Sequence, residues 1–353
     1  MKNFVYTGLA ARVLFGENTI DKLRAEAHAL QMNRALVLTT PAQGEMGERV
    51  SDLLGASSVG LFSEAAMHTP VEVTDRAIAA FEGAAADGVV AIGGGSTIGL
   101  GKAIALRNDA PQLVLPTTYA GSEMTPIIGQ TEGGKKTTQR TLKVLPETVI
   151  YDVELTLGLP LQMSVTSGVN AIAHAVEAMY AENANPVLSM MAEEGVAALM
   201  RALPTILKTP GDLSARSDAL YGAWLCSICL GSGGVALHHK LCHVLGGSFD
   251  LPHAETHAIV LPHALAYNAP FAAPAMERLS RAVGGRSPEA AFYDIVAASG
   301  APVSLRALGM PEEGIDRAVE ITFENPYWNP RPLERDGVCD IIRAAWEGRR
   351  PAC

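Results

Sequence analysis

The segment HHKLCHVLGGSFDLPHAETHAIVLPH, from His238 to His263, holds six of the chain's nine histidines. Imidazole at that density either ligates a metal or donates and moves protons at an anionic substrate. His239 and His243 are four residues apart, so a helix sets both on one face. VLGGSFDLPH then reads as a break in that helix that returns His253 to the group. Upstream, SGVNAIAHAVEAMY puts Asn170 and His174 on one face of a second helix.

A different set of residues suits a phosphate. VVAIGGGSTIGLGKA reads as a strand, the turn Gly93-Gly94-Gly95-Ser96-Thr97, and a helix. Glycines allow close backbone approach, and amides at a helix N-terminus hold a pyrophosphate; a tight turn without a ligand has the same sequence. LPTTYAGSEMT follows another apolar strand and offers Thr117, Thr118, Ser122 and Thr125 as hydroxyl donors. Open α/β sheets bind ligands at the carboxyl ends of their strands, so two such loops point to a dinucleotide. LVLTTPAQ ends its strand on Thr39 and Thr40, with no carboxylate to repel a 2′-phosphate. Both NADH and NADPH are therefore expected to be accepted.

These residues need a frame. Up to residue 158, short β-branched runs (34–40, 58–65, 89–96 and QLVLPTT) alternate with helical patterns (44–56, 69–88 and TIGLGKAIALRN). A hairpin-like excursion and one more strand follow in IIGQTEGGKKTTQRTLKVLPETVIYD. That alternation calls for a doubly wound, mostly parallel, Rossmann-like sheet. Helical patterns then take over, at 161–182, 186–208, 213–231, 234–247, 255–267 and beyond 270. The expectation is an α/β dinucleotide-binding domain over 1–158 and an all-α substrate and catalytic domain over 159–353, with the active site in the cleft between.

Bulk properties narrow the partners. A net charge of −10 lacks the basic face that nucleic acid needs, and an anionic substrate would need local donors working against that field. No run approaches the ~20 apolar residues of a membrane span, and the N-terminus does not read as a signal peptide. Five cysteines do not suggest a disulfide framework, so a cytoplasmic setting is expected. Cys226 and Cys229 form a C-x-x-C in an apolar helical run, which reads as buried packing before a redox or zinc site.

Taken in order, G-G-G-S, P-T-T…G-S-E, the H-A-x-E helix and H-x-x-x-H-x-L-G-G…P-H resemble the iron-containing (group III) alcohol dehydrogenase superfamily over essentially the whole chain. The resemblance implies that His174, His239 and His253 stand at that family's metal-binding histidines, and His243 at its additional histidine near the nicotinamide. The family's aspartate ligand falls on Asn170, which removes the anionic ligand, so no metal is expected; ligation through the amide oxygen is the alternative. In the glycine loop, Gly99 stands where the family often has Asp, while Lys102 is retained. Lys136 falls on a cofactor contact. With MHTPVEVT, GGKKTTQRTLKVLPETVIYD and NPYWNPRP, the chain is similar to the maleylacetate reductase branch. That branch reduces a conjugated keto dicarboxylate to 3-oxoadipate during aromatic breakdown, and the wider family implies a homodimer.

Reducing a conjugated C=C moves charge into an enolate, which needs donors at one oxygen and a proton source at carbon. His243 is expected as the general acid and Tyr327 as the donor to the enolate oxygen. Asn170, His174, His239, His253 and Arg331 are expected to hold the dicarboxylate. Tyr327 and Arg331 lie in ENPYWNPRPLERDGV, which also reads as a rigid cover of the helical domain. His238 and His257 are expected to be structural or solvent-facing, and His263 to pack. Two other functions stay open: a metal-dependent alcohol or polyol dehydrogenase using Asn170 as a ligand, and a non-catalytic nucleotide-binding protein.

Overall fold

The computed structural model describes residues 3–133 and 135–351, with only the backbone of Lys135 and Lys136. The chain divides into two compact units, Leu9–Gly158 and Met1–Gly8 with Leu159–Cys353.

The first unit holds strands β1 (Arg12–Gly16), β2 (Ala35–Leu38), β3 (Ser58–Phe62), β4 (Gly88–Gly93), β5 (Gln112–Pro116), β6 (Ile127–Glu132), β7 (Lys135–Arg140) and β8 (Thr148–Asp152). Six of them form a parallel sheet in the order β1-β8-β5-β4-β2-β3. Successive side chains point to opposite faces. Val37, Val90, Ile92, Leu113 and Leu115 therefore pack with Leu23, Val50 and Leu54 of helices α1 (Leu23–Ala29) and α2 (Gly44–Leu54). Leu36, Leu38, Val89, Ala91 and Val114 pack on the other face with Phe81, Ile98 and Ile104 of α3 (Val71–Gly83) and α4 (Gly95–Asn108). Burial on both faces is why these strands read as unbroken apolar runs. β6 and β7 form a separate antiparallel hairpin.

Two details differ from the sequence reading. β1 was not expected, because five residues at a sheet edge, one exposed and four half-buried, carry little pattern of their own. The helix expected from residue 69 starts at Val71. His68 and Thr69 are left-handed (φ 63° and 47°), and Pro70 caps the helix instead of lying within it. The helical region is disfavoured for a residue preceding proline, which puts Thr69 outside the helix.

The second unit contains α5 (Leu161–Tyr180), α6 (Pro186–Lys208), α7 (Leu213–Ser232), α8 (Leu237–Phe249), α9 (His253–Asn268), α10 (Ala273–Ala282), α11 (Pro288–Ala298), α12 (Gly314–Glu324) and α13 (Arg335–Glu347). Every residue of α5 from Ser164 to Tyr180 is buried. Asn170, His174 and Glu177 fall at i, i+4 and i+7, so this core helix carries one polar stripe. Leu241, Leu245, Ile259, Val260, Ile315 and Ile342 bind α8, α9, α12 and α13 into one apolar cluster. Gly246 and Gly247 do not break α8; it runs to Phe249, and Asp250 in the left-handed region (φ 51°) ends it. Among the described residues, no single helix is long and apolar enough to cross a membrane. Cys226 and Cys229 are buried free thiols on α7.

Candidate active site

Glu177 organises the imidazole cluster. It is fully buried on α5 and accepts four hydrogen bonds: from the amides of Ala236 (2.7 Å), His238 (2.7 Å) and His239 (3.3 Å), and from His239 Nδ1 (2.7 Å). Ala236 is the N-cap of α8 and offers no side-chain cap, so a carboxylate from another helix satisfies those orphan donors. The same carboxylate fixes the proton of His239 on Nδ1 and leaves Nε2 facing the cluster.

His174, His239, His253 and His257 come together as α5, α8 and α9 meet. Ring centroids are 5.3 Å apart for His174 and His239, 5.0 Å for His239 and His257, and 4.3 Å for His253 and His257. Asn170 Oδ1, His174 Nδ1, His239 Nε2 and His257 Nε2 are buried with no hydrogen-bond partner among the described residues. Buried polar atoms are nearly always paired, so four unpaired ones in one cluster mark a ligand site. Burial, reinforced by neighbouring imidazoles, holds His174, His238 and His257 well below the usual histidine range. His253 is exposed and forms the outer edge.

His238 and His257 were expected to be structural or solvent-facing, and solvent-facing is wrong. Both are fully buried, with His238 Nε2 and His257 Nδ1 sharing a hydrogen bond of 2.9 Å. Cys242 Sγ lies 3.7 Å from His238 Nε2. Among the described residues, these three bring possible metal-ligating atoms within 4.8 Å of one another. The hydrogen bond between the two rings already engages one nitrogen of each.

His243 is half-buried, with Nδ1 3.1 Å from the Tyr327 hydroxyl. Burial, then the Glu177 charge, raises the Tyr327 phenol above its usual value, so it keeps its proton near neutrality. A phenol donating to Nδ1 leaves the His243 proton on Nε2. Lys240, unremarked in the sequence, places its ammonium 5.7 Å from the Tyr327 ring centroid. Arg331, expected as a carboxylate clamp, is placed otherwise. Its guanidinium stacks on Tyr267 at 3.9 Å and donates to the Tyr267 carbonyl at 3.1 Å, pinning the loop to α9. Asn329 and Asn268 pair reciprocally (2.9 and 2.7 Å) beside it.

In the α/β unit, β2 is followed by β3 on one side and β4 on the other, so the strand order reverses between β2 and β4. Thr39 and Thr40 leave the end of β2, Gly93 to Thr97 the end of β4, and Thr117 and Thr118 the end of β5. Gln43, also missed, ties them together: Nε2 donates to Thr117 Oγ1 (3.1 Å), and Oε1 accepts from Thr40 Oγ1 (3.3 Å). A Cβ at Gly93 would meet Thr97 Oγ1 and Gln43, and one at Gly94 would meet Thr118 Cγ2 at 2.9 Å. Gly95 faces open space at the start of α4, and the hydroxyls of Thr39 and Thr97 are buried without partners among the described residues. These features fit the pyrophosphate cradle of a nucleotide.

Thr125, expected as a free donor, donates to Ser122 O (3.0 Å) and accepts from Lys102 Nζ (2.9 Å). Lys102 also donates to the carbonyls of Ser122, Thr125 and Ile127, so it ties the 122–127 loop together. Burial lowers its ammonium to about 7, with Glu123 acting the other way. Ser122 and Ser96 are partly exposed. At Gly99, a Cβ would run into Thr69 Oγ1, so the space of the missing side chain is taken by the left-handed turn before α3. The Lys136 side chain lies outside the described residues.

One unit carries a polar stripe on a buried helix facing a histidine cluster, the other a glycine cradle at the switch point of a parallel sheet, and both features fit a class of oxidoreductase. Residues 10–153 match the iron-containing alcohol dehydrogenase family, and residues 164–346 match its C-terminal part. The chain belongs to that family and is an oxidoreductase. It is 55% identical to maleylacetate reductase of Rhizobium sp. (strain MTP-10005), over 99% of this chain and 100% of that one. It is 54% identical to maleylacetate reductase of Burkholderia cepacia, over the full length of both. The crystal structure of maleylacetate reductase from Agrobacterium tumefaciens superposes with a TM-score of 0.95 at 54% identity, covering 99% of this chain and 100% of that one.

Proposed function

We propose that this chain is an NAD(P)H-dependent maleylacetate reductase that works without a metal, reducing the conjugated C=C of its substrate to give 3-oxoadipate. The observation that carries the reading is the donor set around His239. Asn170, His174, His239 and His253 are an amide and three imidazoles, with no carboxylate among them. With an amide where the family has an aspartate, the set has no anionic ligand, which weakens its hold on a divalent cation of the kind the family name implies. Full-length relatives named for this reaction support the same reading.

The nucleotide, when bound, supplies the hydride. Gly93 to Thr97 and the hydroxyls of Thr39 and Thr117 would hold its phosphates and ribose, with both NADH and NADPH accepted. Hydride addition to the alkene leaves an enolate, which the chain stabilises with hydrogen bonds alone. With substrate bound, the Tyr327 O–H turns from His243 Nδ1 to the enolate oxygen, and His243 Nε2–H delivers the proton to carbon. His174 and His253 position the carboxylate end, with Asn170 through its amide N–H, whereas His239, expected to join them, presents the lone pair of Nε2 and so can only accept a hydrogen bond there. The reading also places the enzyme in the cytoplasm as a homodimer.

The test is NADH and NADPH oxidation with maleylacetate against simple aldehydes and ketones, with metal content measured on the same sample before and after EDTA. Rapid, EDTA-insensitive turnover of maleylacetate by metal-free protein is expected. Stoichiometric iron or zinc with EDTA-sensitive turnover of simple carbonyls would replace this reading with a metal-dependent alcohol dehydrogenase.

A further inference from the structure

We infer that Lys240 binds one of the substrate's two carboxylates. The inference rests on the dicarboxylate reading above and goes beyond it by naming the cation. Lys240 follows His239 on α8 and precedes His243 by three residues, so helix geometry places it beside His243. The residue is only 9% exposed, and among the described residues no ion pair joins its ammonium to a carboxylate. Glu324, the acidic group that acts on it, is exposed at the end of α12.

Acidic residues outnumber basic ones, 37 to 27, and Arg12, Arg76, Arg278 and Arg281 all have carboxylate partners. Lys240 Nζ instead sits 5.7 Å from the Tyr327 ring, next to the hydroxyl that bonds His243. A cation over an aromatic face keeps part of its attraction but still lacks a counter-charge. Arg331, which a charge-based reading would choose for this task, is occupied with Tyr267. A substrate carboxylate on Lys240 would set the distance from that anchor to the Tyr327–His243 pair, where the enolate forms.

The test compares wild type with Lys240→Met, Lys240→Gln, Lys240→Arg and Arg331→Met. The probes are maleylacetate, its monomethyl ester, and adipate as an unreactive dicarboxylate inhibitor. Loss of the charge at Lys240 should raise the KM for maleylacetate and the Ki for adipate about 10–100-fold, the worth of a charge-assisted hydrogen bond. The KM for the nucleotide should not move, Arg should recover most of the loss, and wild-type preference for the diacid over the monoester should disappear in the Met variant. Arg331→Met should leave the adipate Ki unchanged. An unchanged adipate Ki in Lys240→Met, or in Lys240→Gln should the first not fold, overturns the inference. A wild type that ignores maleylacetate yet binds adipate through Lys240 would defeat the proposed reaction and keep the anion site.

Discussion

Glu177 Oε2 accepts a 2.7 Å hydrogen bond from His239 Nδ1, and both side chains are buried. The carboxylate meets N–H donors at both of its oxygens. Glu177→Gln keeps shape and volume but turns an NH₂ toward at least one of those donors. The expected result is a loss of about 1–3 kcal/mol of stability and a 10–100-fold drop in kcat/KM, the usual cost of removing a partner behind an active imidazole. Thermal unfolding and steady-state kinetics measure these. Nitrogen-15 NMR of labelled histidines should show His239 as the Nδ1–H tautomer in wild type, and an Nε2–H form would refute the assignment.

His243 and Tyr327 act as a unit, so their substitutions should not add. His243→Ala is expected to lower kcat by about 10²–10⁴-fold, the range of a general acid. Tyr327→Phe should cost less, and the double variant little more than His243→Ala. Multiplicative losses in the double variant would show that the two residues work independently.

Asn170→Asp introduces an anionic ligand among three imidazoles. Metal uptake during growth in zinc- or iron-supplemented medium should rise, and the KM for maleylacetate should rise as well, because the new charge repels a dianion. Elemental analysis and kinetics on one preparation decide it. Absence of metal together with an unchanged KM would contradict the account of the cluster.

His263 on α9 is buried, its Nε2 lacks a partner, and burial followed by Arg349 lowers it to about 4 from an ordinary 6.5. Between those values the unfolded chain takes up a proton that the folded chain refuses. Stability therefore falls as pH drops from about 6.5 toward 4, by up to ~3 kcal/mol. His263→Gln should flatten this acid limb in denaturant titrations at pH 7, 6 and 5. An acid limb of unchanged slope would assign the loss to other groups.

Nucleotide choice follows from the end of β2. Thr39 and Thr40 present no carboxylate there, so kcat/KM with NADH and with NADPH should differ by less than about 100-fold, and an acidic residue at Thr40 should shift the preference toward NADH. A larger native preference for NADH would mean that another residue reads the ribose.

Most elements were legible because each had a pattern of its own. Buried strands such as Ala35–Leu38 and Gly88–Gly93 are apolar throughout, and α5 to α9 carry long apolar patterns. β1 was not legible, since an edge strand of five residues gains its identity from pairing with β8. His239, His243 and His253 were found from helical spacing and resemblance. Glu177 could have been found from the same spacing, since a carboxylate in phase with Asn170 and His174 on an apolar helix needs a partner. His257 was undervalued although it lies four residues from His253.

Sequence by itself determined most of the strands and helices, the glycine turn, the missing carboxylate at Asn170 and the family. Tertiary structure alone decided which polar groups are already satisfied. Arg331 and Thr125 have suitable chemistry, but their hydrogen bonds go to Tyr267, Ser122 and Lys102. Among the described residues, Lys240, His174 Nδ1, His239 Nε2 and His257 Nε2 have no such partner. Local pattern fixes the face on which a side chain stands, whereas its partners come from helices distant in sequence, and whether a donor is spent or free depends on those partners.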